Sequence, residues 1–275
     1  MSLTPTRIAL LLLAAVMAQP VCGEPGAGTL SESGAGSVDV ARNLSDADAQ
    51  APAVSGPPGG SPLLNRYYQG ADFDRWTDVF ERRGREVFDQ RFQIVHAAGV
   101  REGMRLADIG AGTGFFAALF ARAVGPEGIV YAVDTSPDFV AGIEERARTY
   151  RVKNLVPIVN TQQGTGLEPN SIDLAFMCDT YHHFEDPRAM LDSIYQALAP
   201  YGSLIIIDMH RIPGLSSPWT MSHVRAGRNQ VVAEVEAAGF RLVEEPRLLR
   251  DNYYLRFEKL SDEPDLKVGP IEIDP

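Results

Sequence analysis

Cysteine is nearly absent from this sequence, with two in 275 residues. That excludes a disulfide-stapled scaffold, which packs several pairs into a short chain. Basic residues are the minority, 25 Lys and Arg against 36 Asp and Glu, for a formal charge of −11. A chain that lives on phosphate backbones needs clustered Lys and Arg, so no nucleic-acid partner is expected. Long apolar runs are missing beyond the extreme N-terminus, which excludes a polytopic membrane protein. With 45% hydrophobic and 22% charged residues, the chain as a whole is too apolar to be disordered.

The one apolar run, Ile8 to Ala18, follows a weakly positive start made by Arg7 and the amino terminus. Its eleven residues suit the hydrophobic region of a secretory signal and are short for a transmembrane helix. Cleavage after Ala18 or after Gly23 fits the small-residue rule, and residues 1–23 are read as a signal peptide. Cys22 raises a lipoprotein alternative, although Pro20 and Val21 are poor residues before a lipidated Cys. The expected location is periplasmic or secreted. The alternative is a chain anchored in the membrane by an uncleaved segment; after cleavage no stable span remains. Residues 24–62 are rich in Gly, Ala, Ser, Pro and Asp and have no periodic apolar face, so they read as a disordered linker. Residues 261–275 read as a loose acidic tail. The folded body is residues 63–260, enough chain for one sizeable core.

Within that body, short apolar strands alternate with helices. Strands are expected at 105–109, 129–133, 155–159, 172–177 and 203–207. Between them, helices start at Phe115, at Ser136-Pro137 and at Asp186-Pro187, each pair joining a capping side chain to a proline at the first helical position. A helix over 229–238 leads to two last strands, 241–249 and 253–260, whose three-residue connection is too short for a parallel crossover. The pattern predicts an α/β fold: a doubly wound, mostly parallel seven-stranded sheet with an antiparallel C-terminal hairpin and helices on both faces. Residues 75–92 carry Trp76, Val79, Phe80, Val87 and Phe88 at helical spacing. They form either a helix packed on the sheet or a lid over the strand ends.

The chemistry-bearing run is Asp108-Ile109-Gly110-Ala111-Gly112-Thr113-Gly114. It leaves the first strand on an acidic residue and enters a helix through three alternate glycines, so backbone can approach a ligand at a helix N-terminus. Asp134 ends the second strand, 20 residues beyond Gly114, where a carboxylate can accept both hydroxyls of a ribose. Gly112-Thr113-Gly114-Phe115-Phe116-Ala117 also fits a dinucleotide fingerprint, but it lies two residues late.

Taken in order, Leu106 to Phe116, Tyr131 to Asp134, Ile172 to Phe176 and Leu198 to Leu204 resemble four motifs of the class I (Rossmann-like) S-adenosylmethionine-dependent methyltransferases. The likeness runs from about Trp76 to Leu260 and is nearest to the small-molecule and quinone-biosynthesis type. Tyr201 stands where that family usually has glycine. The resemblance implies S-adenosyl-L-methionine as cofactor, with Gly110, Gly112 and Gly114 along its methionine and ribose part. It further implies Asp108 at the ammonium, Asp134 at the ribose and Thr135 under the adenine. The usual Asp that reads the adenine amine is missing from Asn160 to Glu168, and a carbonyl from Gln162 or Gln163 can stand in. Cys178 and Asp179, after the fourth strand, complete the cofactor set.

Tyr181, His182 and His183 follow, where the transferable methyl is expected, and the two imidazoles are the candidate catalytic bases. Trp76, Tyr181, His210, His223 and Arg225 are candidates for holding a small-molecule acceptor. The spacings of His182, His183, His210 and His223 match no compact ligand set, so no metal is expected. Two other functions fit the cofactor signature: a catalytically silent adenosylmethionine- or adenosylhomocysteine-binding module, and a nucleotide-dependent oxidoreductase. The oligomeric state is not legible, and export sits awkwardly with a cofactor made in the cytosol.

Overall fold

The computed structural model describes residues 65–68 and 70–260. The expected signal peptide, linker and acidic tail lie outside the described residues. After a one-turn 3₁₀ helix at Arg66–Tyr68 come α1 (Phe73–Phe80), α2 (Glu86–Asp89) and α3 (Arg91–Ala97). Strand β1 (Arg105–Ile109), helix α4 (Phe115–Ala123), β2 (Ile129–Asp134), α5 (Pro137–Tyr150), β3 (Leu155–Val159) and β4 (Ile172–Cys178) form the first half. A second 3₁₀ turn, Tyr181–His183, leads to α6 (Pro187–Ala197), β5 (Leu198–Met209), α7 (Pro218–His223), α8 (Arg228–Ala237), β6 (Phe240–Glu244) and β7 (Asn252–Lys259).

The strands form one seven-stranded sheet in the order β3-β2-β1-β4-β5-β7-β6. All pairs are parallel except those of β7, which runs antiparallel to both β5 and β6. The expected fold class is the one observed. Alternation along the strands feeds two cores. Ala107, Ile109, Leu204, Ile206, Leu255 and Phe257 pack on the α6 and α8 side. Leu106, Ile205, Ile207 and Tyr254 pack on the α3, α4 and α5 side. Pro157 is tolerated in β3 because that strand is an edge and needs no second ladder. Strand order reverses between β1 and β4, which opens a crevice at their carboxyl ends.

The capping signals act as read. The Ser136 side chain accepts from Phe139 N–H and the Asp186 side chain from Ala189 N–H, each ahead of a proline. Boundaries differ where local chemistry intervenes. The helix expected over 75–92 is broken at Gly84, whose φ of 89° reverses the chain between α1 and α2. Strand β6 stops at Glu244 rather than Leu249, since Pro246 follows and cannot donate to the ladder. The β6–β7 connection is therefore Glu245 to Asp251, longer than expected. Tyr201 has φ 61°, in the left-handed region, which accounts for the glycine usual at that position. Helix α7 was not anticipated, although Ser217-Pro218 repeats the cap-plus-proline signature of α5 and α6.

Candidate active site

The carboxyl ends of β1, β2, β4 and β5 border a cavity of about 760 Å³, within the usual range for a small-molecule site. Its floor is the glycine loop. Gly110 and Ala111 N–H groups donate to Val133 O at 2.8 and 3.0 Å, pinning the loop to the end of β2. Gly110 has φ 71°, and a Cβ there would stand 2.2 Å from Thr180 Cγ2. The Thr180 hydroxyl bridges Gly110 O and Cys178 O. The loop after β4 is thus seated directly on the loop after β1, and only glycine leaves room for it.

Two carboxylates flank the loop. Asp134 accepts from Gly112 N–H through Oδ2 at 2.8 Å and from Ser136 N–H through Oδ1 at 2.9 Å. Burial raises its pKa against those backbone donors. Asp108 lines the cavity with Oδ2 buried and without a hydrogen-bond partner. Burial pushes its pKa to about 7, with a smaller upward push from Asp134 and only the Ala117 N–H opposing. Such an oxygen asks for a cationic donor.

After β3, Asn160 and Gln162 line the cavity, together with Thr135 after β2. Asn160 spends both amide hydrogens on Thr161 O and Gly164 O at 3.0 Å. Its Oδ1 is left buried and unpartnered. Asn160 is therefore a better placed acceptor than either glutamine, and the sequence reading passed over it. Its signal was its position, first residue after β3. Gln163 is exposed and does not line the cavity, because the tight Thr161–Gly164 turn directs it outward. Gly114 is also absent from the lining; it is the N-cap of α4, and its open side faces Ile143 of α5.

Helix α1 covers the cavity, the lid arrangement of the two that its sequence allowed. Tyr68, Trp76, Phe80 and Phe139 form an aromatic cluster above the loop, with Tyr68 4.9 Å and Phe80 5.0 Å from Trp76, centroid to centroid. Glu81, just past α1, binds Arg146 through both carboxylate oxygens and accepts from the Thr113 hydroxyl at 2.8 Å. Arg85 pairs with Asp179 at 2.7 Å, and Asn252 holds the other oxygen of that carboxylate. Asp179 is thereby committed to protein partners, although it and Cys178 line the cavity. Burial and neighbouring Asp179 raise the Cys178 thiol, which stays neutral.

The far wall carries imidazoles. His182 Nδ1 lies 2.7 Å from Asp208 Oδ1, and the His182 N–H donates to Asp208 Oδ2. Burial alone would lower the His182 pKa; the Asp208 carboxylate outweighs it and leaves the pKa raised. His183 is pushed the other way, to about 2, by burial and by His182 and His223. His223, on α7, stacks on Trp219 at 4.3 Å, and both line the cavity. One ring nitrogen from each of His182, His183 and His223 lies within 4.8 Å of the others. Spacing along the chain gave no hint of this, because α7 comes from a separate segment and is brought over the β4 loop by the fold.

Three residues expected at the acceptor lie elsewhere. Tyr181 is fully buried in the core on the α6 and α8 side, its hydroxyl donating to Glu234 at 2.7 Å. Arg225 forms a bidentate pair with the same Glu234 at 2.7 Å. Together they tie the β4 loop to α8 beneath the site, and neither lines the cavity. His210 packs edge-on to Tyr253 and is also outside the lining. In each case a polar side chain in a loop on the carboxyl side of the sheet turns into a structural contact, which chain position alone does not reveal.

A model of the methyltransferase domain matches residues 107–204. The ubiquinone/menaquinone biosynthesis C-methyltransferase of Pasteurella multocida is 28% identical over 123 residues, 44% of this chain and 46% of the relative. The protein-L-isoaspartate O-methyltransferase of Ignicoccus hospitalis is 35% identical over 121 residues, 44% of this chain and 54% of the relative. The chain thus spans about half the length of the curated relatives it matches. An S-adenosylmethionine-dependent methyltransferase from Aquifex aeolicus superposes with a TM-score of 0.62 at 24% identity, over 69% of this chain and all of the other. A phosphoethanolamine N-methyltransferase of Haemonchus contortus gives 0.60 at 19% identity, over 72% of this chain and 59% of the other. The fold is that of the Rossmann-like methyltransferases.

Proposed function

We propose that this chain is an S-adenosylmethionine-dependent methyltransferase that acts on a small-molecule acceptor. The observation that carries the reading is the pair of carboxylates at the glycine loop, with Asp108 Oδ2 buried and lacking a partner on the cavity wall. That oxygen suits the cofactor's ammonium, Asp134 its ribose hydroxyls, and Asn160 Oδ1 its adenine amine. The glycine loop leaves backbone bare beneath them. When bound, the cofactor supplies a methyl group already activated by its sulfonium, so the protein must orient a nucleophile and exclude water. Tyr68, Trp76, Phe80 and Phe139 exclude water. An acceptor that has to lose a proton meets the His182–Asp208 pair; His183 is too weak a base to serve.

The matched relatives act, by their names, on quite different acceptors, so the small acceptor rests on the size of the cavity, its aromatic cover and the acidic charge of the chain. Export remains part of the reading and rests on the N-terminal apolar run. N-terminal sequencing of the fractionated protein tests it; an intact N-terminus on cytosolic protein would overturn it. Calorimetric titration with adenosylhomocysteine tests the cofactor site. Binding by the native chain and loss of binding in Asp134→Ala and Gly112→Arg are expected, and normal binding by both variants would sink the assignment. Turnover on an acceptor panel separates an enzyme from a silent binding module, and titration with nicotinamide dinucleotides separates both from an oxidoreductase.

A further inference from the structure

We propose that His182, His183 and His223 form a binding site for one divalent transition-metal ion of the zinc class, on the wall of the cavity. Three observations carry it. First, the three imidazoles arrive from two separate segments, the 3₁₀ turn after β4 and the end of α7, and each offers a ring nitrogen within 4.8 Å of the others. Ring centroids are 4.2 Å apart for His182 and His183, and 5.0 and 5.2 Å from these to His223. Second, His182 is only 2% exposed, and its Nε2 has no hydrogen-bond partner; nor has Nδ1 of His183. Buried ring nitrogens without partners are uncommon, and two beside each other are explained by a shared ligand. Third, Asp208 lies 2.7 Å from Nδ1 of His182, the carboxylate–imidazole arrangement that orients metal-binding histidines and strengthens them as donors.

The donor set selects the metal. Three neutral nitrogens with no carboxylate among them suit zinc and its neighbours rather than magnesium or calcium, which take oxygen ligands. In a tetrahedral site with zinc–nitrogen bonds near 2.0 Å the nitrogens stand about 3.3 Å apart, so the cluster has to tighten. His223 is half-buried at the end of a six-residue helix and can supply that movement. Three protein ligands leave a fourth position, the arrangement of catalytic rather than structural zinc. That position borders the cavity lined by all three histidines. On the methyltransferase reading, it would take the hydroxyl or thiol of the acceptor, which an ion there makes easier to deprotonate. His182 would then serve as ligand rather than base, and the ion would lower the acceptor's pKa so that its proton passes to solvent.

The test uses the full chain without an affinity tag, stripped with a chelator and titrated with Zn²⁺ against a chromophoric competitor. One equivalent per chain is expected, and Co²⁺ in its place should give the strong visible absorption of a tetrahedral site. His223→Ala should weaken binding by more than about the 100-fold that marks the upper end for outer-shell partners, and Asp208→Asn by roughly 10- to 100-fold. His210→Ala, outside the cluster, should bind as the native chain does. Because His182→Ala removes the imidazole that faces buried Asp208, leaving that carboxylate only backbone donors, His223→Ala carries the test, with circular dichroism to confirm its fold. Absence of stoichiometric binding, or binding undiminished in His223→Ala, would overturn the site. The outcome does not depend on adenosylhomocysteine binding, so a failed cofactor assignment and a failed metal site are told apart.

Discussion

Glu81 receives both terminal nitrogens of Arg146, at 2.5 and 2.8 Å, and so fastens the end of the covering helix α1 to helix α5. The same carboxylate takes the Thr113 hydroxyl, which joins the lid to the glycine loop. The ion pair is partly buried and bidentate, the geometry in which such a pair has measurable worth. Arg146→Met should therefore weaken adenosylhomocysteine binding about tenfold, near 1.4 kcal/mol, by letting the lid loosen. The melting temperature should fall by only a few degrees. Calorimetry and thermal denaturation of one preparation check both halves.

Asp108 gives a pH dependence with a defined sign. Its carboxyl ionises near 3.8 in the unfolded chain and at about 7 in the folded one. Between those values the folded state holds the extra proton, so stability falls as pH rises from about 4 through 7. Asp108→Asn should remove the Asp108 share of this slope, leaving a shallower one, and make the apo protein more stable than native at pH 8. Urea denaturation at pH 5 and pH 8 measures it. Adenosylhomocysteine should bind the native chain more tightly as pH rises through 7, because the ionised carboxylate then meets the ligand's ammonium.

At Gly110, two penalties add. A side chain at φ 71° is strained, and its Cβ would overlap Thr180. Gly110→Ala should cost about 3 kcal/mol of stability. Adding Thr180→Ala should recover only part, since the backbone strain remains and Thr180 Cβ itself would stand 2.9 Å from the new methyl. Chemical denaturation of the single and double variants decides this; full recovery would show that strain contributes nothing.

The free Oδ1 of Asn160 predicts how purines are told apart. It accepts a hydrogen bond and so favours an amine over a carbonyl at the purine six-position. The native chain should bind adenosylhomocysteine about tenfold more tightly than its inosine counterpart. Asn160→Ala should remove most of that preference while keeping measurable affinity for both. Competition binding with the two ligands provides the readout.

Much of this was legible along the chain because it depends on neighbours in sequence. Ser136-Pro137 and Asp186-Pro187 start helices by local hydrogen bonds, and the glycine run follows directly from the strand before it. Ser217-Pro218 carried the same signal for α7 and was simply missed. Tyr181 and Arg225 were misplaced because both meet Glu234 on α8, a partner no spacing rule connects to them. Asn160 was overlooked because its significance lies in which of its amide atoms the Thr161–Gly164 turn leaves unused.

The sequence by itself determined the sheet, its winding and the acidic-flanked glycine loop, since strand periodicity, caps and turn glycines act over a few residues. Only the tertiary structure decided what faces the cavity. It lowered α1 over the loop through Glu81 and Arg146, turned Tyr181 inward, and gathered His182, His183 and His223 from segments about forty residues apart. Those choices follow from long-range pairing and burial, where the cost of an unpartnered polar group is settled by whatever the fold brings within reach.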